Sequence, residues 1–172
     1  MDWSIFYSVA AGASATLLGL LFVAVQMHLR TLTTDPSSRW RALARSTFIN
    51  YTNLFMFSAL MLFPTIGRAV YGFVLLFVVG FGVYRLLITW LPVWRGVFRG
   101  RSERIVSVLW WLISPMIVYL VLGALAIQAL RAGQTPDIQQ NVGYCVMGLF
   151  AIVLRNSWNL LFELPPESPA SP

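Results

Sequence analysis

Five stretches of this chain, each roughly 17–26 residues long, carry at most one charged side chain apiece. The hydrocarbon core of a bilayer is about 30 Å thick, and a helix rising about 1.5 Å per residue needs about 20 apolar residues to cross it. Runs of that length leave few alternatives. In lipid a backbone must bond to itself, so the expected fold is all-α: a polytopic membrane bundle of about five transmembrane helices. Its helices are expected at about 5–29, 36–63, 69–91, 103–130 and 138–162, in one bundle over residues 1–164. The Pro/Ser-rich tail, 165–172, is expected to be disordered.

Composition agrees. The chain is 58% hydrophobic and only 10% charged, against about 25% charged residues in a soluble domain. The net charge of +6 comes from arginine alone. A basic balance can mark nucleic-acid binding, but these arginines lie in short segments between apolar runs, which fits a membrane protein and not a nucleic-acid partner. No basic residue precedes Arg30. The first apolar segment therefore lacks the positive n-region of a signal peptide and is expected to stay as a helix.

Local breaks divide the runs. Asp35-Pro36 reads as an N-cap with proline at the first helical position. Pro64-Thr65-Ile66-Gly67 reads as a tight turn joining helices two and three into a hairpin. Pro92 is expected to end helix three, Ser102 to cap helix four, and 133–141 to be a polar loop. Pro115 falls inside helix four and predicts a kink. Arginine counting sets the orientation. Arg30, Arg39, Arg41 and Arg45 in the first loop, and Arg95, Arg99, Arg101 and Arg104 in the third, outnumber Arg68 and Arg131 in the others. The N-terminus is thus expected outside and the C-terminus in the cytoplasm. Arg95, Arg99, Arg101 and Arg104, interleaved with Trp94 and Phe98, also suit a short interfacial helix on anionic lipid headgroups.

Two groups of residues are candidates for function. Ala11, Ala15 and Gly19 recur every four residues on helix one, beside a parallel row of Ser8, Gly12 and Thr16. Small residues at this spacing let helix backbones approach closely, within the chain or between copies. The second group is polar. Ser46, Asn50 and Asn53 share one face of helix two, Arg85 lies on helix three, and Arg155, Asn159 and Glu163 form a stripe on helix five beside Asn156. Arg85 can snorkel to headgroups. Arg155 is expected to point into the bundle near Asn50, Asn53 or Arg85. The layer reads either as a structural hydrogen-bond network or as a vestibule open to the cytoplasm and suited to anions.

Catalytic groups are scarce, and no enzyme activity or cofactor is expected. There is one histidine and one cysteine, Cys145, so dithiol exchange, a two-histidine haem site and an HExxH zinc site are all out of reach of one chain. No aspartate falls within an expected span. The segments GASATLLGLLFVAV (Gly12–Val25) and NSWNLLFEL (Asn156–Leu164) resemble the first and last helices of a loose family of small uncharacterised bacterial multi-span proteins. Some of that family are labelled modulators of a membrane-bound AAA protease. The resemblance implies a bacterial inner-membrane protein and supplies no catalytic residues. Two functions stay open: a non-enzymatic protein acting by association, as an accessory or regulatory subunit or a homo-oligomer, and a small homo-oligomeric channel or transporter.

Overall fold

The computed structural model describes residues 3–27, 39–63, 67–97, 105–133 and 135–162, with side chains at all of these except 39, 68, 92–97 and 105–112. These residues form five α-helices: α1 (Trp3–Met27), α2 (Arg39–Met61), α3 (Arg68–Val97), α4 (Ile105–Ala132) and α5 (Pro136–Phe162). No strand occurs among the described residues. The Asp35-Pro36 cap, the Ser102 cap, residues 64–66 of the expected turn, Arg99, Arg101, Arg104, Glu163 and the tail lie outside them. So does the side chain of Arg95, and with it the proposed lipid-facing arginine row.

Four of the helices are long and apolar enough to cross a membrane: α1, α3 over Ala69–Leu91, α4 over Ile113–Ala132, and α5. The chain is therefore a helical membrane protein. Of the five expected segments, α2 is the one that does not reach this apolarity among the described residues. Packing explains the difference. α2 lies against α1, α3 and α5. Leu43, Tyr51, Leu54 and Phe57 are buried along it, and so are Ser46, Thr47, Asn50, Asn53 and Ser58. Phe48, Phe55 and Met56 are exposed on one side of α2, whereas the polar groups on its buried side need partners in the protein. Ser46 and Thr47 find one in their own helix, both donating to the Leu43 carbonyl, at 3.1 and 2.7 Å.

Helix ends show which local signals act. α3 continues through Pro92 to Val97, where the sequence predicts a stop. Proline removes one bond to the carbonyl four residues back, and near a helix end that loss is small enough to be carried. Pro115 lies inside α4, as its place in the sequence suggests. A polar loop is expected over 133–141, but α5 already begins at Pro136. Gly133 takes φ of 79° and its N–H donates to the Ala129 carbonyl at 2.8 Å, an αL cap that ends α4. Thr135 Oγ1 then accepts from the Ile138 N–H at 3.3 Å with Pro136 at the first helical position, so α5 starts at once. At the far end of the α2–α3 hairpin, Leu62 and Phe63 donate to Ala59 and Leu60 in a tightened last turn, and the Gly67 carbonyl accepts from Tyr71 to open α3.

Candidate functional site

The polar residues of the expected layer divide into an inner cluster and an outer groove. The inner cluster joins α2 to α4. The Asn53 Nδ2 donates to the Tyr119 hydroxyl at 2.7 Å, and that hydroxyl donates to Asn50 Oδ1 at 2.8 Å. All three residues are buried. The i, i+3 spacing of the two asparagines puts both on one helix face, within reach of a single phenol. α3 closes over the cluster at Gly82, where a Cβ would lie 2.5 Å from Asn53 Nδ2 and 2.9 Å from the Tyr119 ring. Only glycine lets the α3 backbone come so near. On the α5 side, the Tyr51 and Ser157 hydroxyls are bonded at 3.1 Å, and the Ser157 hydroxyl donates on to the Val153 carbonyl. Asn156 is buried beside this bond.

The arginines lie elsewhere. Arg155, expected inside the bundle, is exposed on the outer side of α5. There it lines a groove of about 220 Å³ between α4 and α5, together with Ser114, Ala151, Ile152 and Asn156. The physical reason is the geometry of α5. Val142, Val146, Leu149, Val153, Asn156 and Leu160 form its buried stripe, and Arg155 is one residue, about 100°, off that stripe. Arg85 is half-buried on α3, its guanidinium 5.8 Å from the centre of the Phe81 ring. That is cation–π distance. The two arginines thus sit in separate surroundings, and the asparagines expected to accept from Arg155 bond to Tyr119 instead. Asn159 is half-buried.

The small-residue face of α1 is only partly used within the chain. Ala11 is buried, but Ala15 and Gly19 are exposed, as are Ser8, Gly12 and Thr16. Nothing lies within 4 Å of a Cβ built on Gly12 or Gly19. The stripe that α1 buries holds Tyr7, Ala10, Ala11, Ser14 and Leu21. That stripe is itself mostly small, with Ala10, Ala11 and Ser14 between Tyr7 and Leu21. The Tyr7 hydroxyl donates to the Gln139 carbonyl of α5, and Trp3 packs edge-on against Tyr144 at 6.2 Å. Close backbone approach occurs instead at Gly72 against Leu130, at Gly82, and at Gly143 against Trp3.

Below this aromatic contact, α1 and α5 diverge to leave an apolar groove of about 330 Å³, lined by Phe6, Val9 and Ala13 on one side and Met147, Phe150 and Leu154 on the other. Ala151 lines both grooves. Sequence reasoning missed Tyr119 and Gly82. The signal for Tyr119 was a lone hydroxyl-bearing aromatic deep in an apolar run, opposite a helix carrying two asparagines that needed partners. Among the described residues, no three His, Cys, Asp or Glu side chains gather in a way that would hold a metal ion. The chain matches no protein-family model, no curated protein and no solved structure.

Proposed function

We propose that this protein acts by association within the membrane, as an accessory or regulatory subunit or a homo-oligomer, and catalyses no reaction. The observation that carries this reading is the outward face of α1. Ser8, Gly12, Ala15, Thr16 and Gly19 are all exposed on a helix apolar enough to span. Small side chains on a lipid-facing surface leave room for another helix backbone to approach, and the gain there is van der Waals contact and hydrogen bonding. The inner cluster supports the same reading. Asn50 and Asn53 are bonded to Tyr119 and covered by α3, which makes them a fastening between helices. A channel or transporter with an arginine-lined vestibule would need Arg155 to turn inward.

In this reading α2 crosses the membrane as a fifth span, and the arginine-rich first and third loops are cytoplasmic. The resemblance of the two terminal segments to small bacterial multi-span proteins favours the inner membrane. The test is Gly19→Leu. Leucine has open space at this site, so thermal stability of the monomer is expected to hold while oligomer formation or partner co-purification falls. If both are unchanged, association does not use this face. Anion flux in liposomes that Arg155→Ala abolishes would replace the association reading with the channel.

A further inference from the structure

Arg155 and the two grooves form a pattern that association by α1 does not use. The polar groove between α4 and α5 offers the Arg155 guanidinium, the Ser114 hydroxyl and the Asn156 amide. The groove between α1 and α5 is lined by apolar side chains. They meet at Ala151, a small residue on the exposed side of α5. Their order along α5 is fixed. Val146, Met147, Phe150, Ala151 and Leu154 line the apolar groove, and Arg155 follows in sequence.

The depth of Arg155 can be read from its neighbours. Trp158 and Phe162 are exposed on the same helix, with ring centres 4.2 Å apart. Tryptophan is enriched at the headgroup level of membrane proteins. Arg155 lies three residues, about 4.5 Å, from Trp158, a gap that an arginine side chain spans by snorkelling. Its charge thus reaches the level of lipid phosphates, while the apolar groove extends from there toward the bilayer midplane. Guanidinium donors match phosphate oxygens in geometry and in charge.

We propose that α5 carries a phospholipid-binding site, with the lipid phosphate held by Arg155 beside Ser114 and Asn156 and one acyl chain passing Ala151 into the groove between α1 and α5. The occupant is a lipid, since a free anion would leave the apolar groove unused. The site is on a different side of α1 from the small-residue face, so it stands independently of the association reading.

The test measures lipid retained by the detergent-purified full chain in native mass spectrometry, using dioleoyl phosphatidylglycerol, dioleoylglycerol with the same chains and no phosphate, and inorganic phosphate. Wild-type protein is expected to retain one phosphatidylglycerol, about five-fold better than dioleoylglycerol, and no inorganic phosphate. Arg155→Gln should bring phosphatidylglycerol down to the dioleoylglycerol level, and Arg155→Lys should keep part of the preference. Ala151→Leu, on the exposed surface, should lower retention of both lipids, and it decides the matter if Arg155→Gln is not recovered folded. Equal retention of phosphatidylglycerol by Arg155→Gln and wild type would overturn the headgroup site. Full retention by Ala151→Leu would overturn the acyl groove, and binding of inorganic phosphate alone would make this a free-anion site.

Discussion

Replacing Tyr119 with phenylalanine removes one oxygen and nothing else, so it isolates the bonds that tie α2 to α4. The ring remains to fill its buried place, and no cavity is created. Two hydrogen bonds disappear, at 2.7 Å from Asn53 and 2.8 Å to Asn50. Interhelical bonds in membrane proteins average about 0.6 kcal/mol and reach about 1.7 kcal/mol each, so Tyr119→Phe should destabilise the fold by about 1–3 kcal/mol. At about 2–4 °C per kcal/mol for a chain of this size, the unfolding temperature in detergent should fall by about 2–12 °C. The loss reflects stranded partners more than the missing bonds, since a buried amide without a partner costs about 1–3 kcal/mol. Asn50→Leu and Asn53→Leu added to Tyr119→Phe should therefore cost less than the three single changes summed. The assay is thermal unfolding followed by circular dichroism, with the variants combined as a mutant cycle. A melting temperature for Tyr119→Phe within about 1 °C of wild type, or strictly additive changes, would refute the view of the cluster as a fastening.

Gly82→Ala should destabilise strongly, because its Cβ meets Asn53 and Tyr119 at 2.5–2.9 Å, whereas Gly80→Ala, in open space, should be neutral or slightly stabilising; melting temperatures of the pair check this. Thr135→Ala removes the hydroxyl that caps α5 and should cost about 1 kcal/mol, read in the same unfolding experiment. A reporter active only in the periplasm, fused after Pro172, should stay silent; activity there would refute the five-span, N-out arrangement.

How much was legible in the sequence depends on what decides each feature. The four apolar spans were plain, because length and hydropathy are properties of a single segment. α2 was harder. Its asparagines at i, i+3 showed a polar face, but the face toward which they turn is set by α4, 66 to 69 residues away. Arg155 was placed inward on the argument that a guanidinium in lipid is expensive. Its neighbour Asn156 took the inward position, and the arginine is exposed on the outer side of α5. On α1, Ala11 packs inside the chain, while Ala15 and Gly19 are exposed and open to a contact between copies. Small residues show where a helix can approach another, and Tyr7 and Trp3, with their contacts to Gln139 and Tyr144 of α5, settled which face does so. The loop over 133–141 was misjudged because polar composition outweighed the Thr135-Pro136 start signal.

The position of α2 has a consequence for how the chain is assembled. α2 is second in the order of synthesis, yet the groups that complete its surroundings come much later. Tyr119 lies on α4, and Ser157, 106 residues beyond Tyr51, lies near the end of α5. Until those helices exist, two asparagine side chains and a tyrosine hydroxyl have no protein partner across the bundle. A newly made α1–α2 pair is therefore least settled where the finished protein is best fastened. A truncation that removes both α4 and α5 should therefore leave Asn50, Asn53 and Tyr51 without their partners across the bundle, even though every residue of α2 is present.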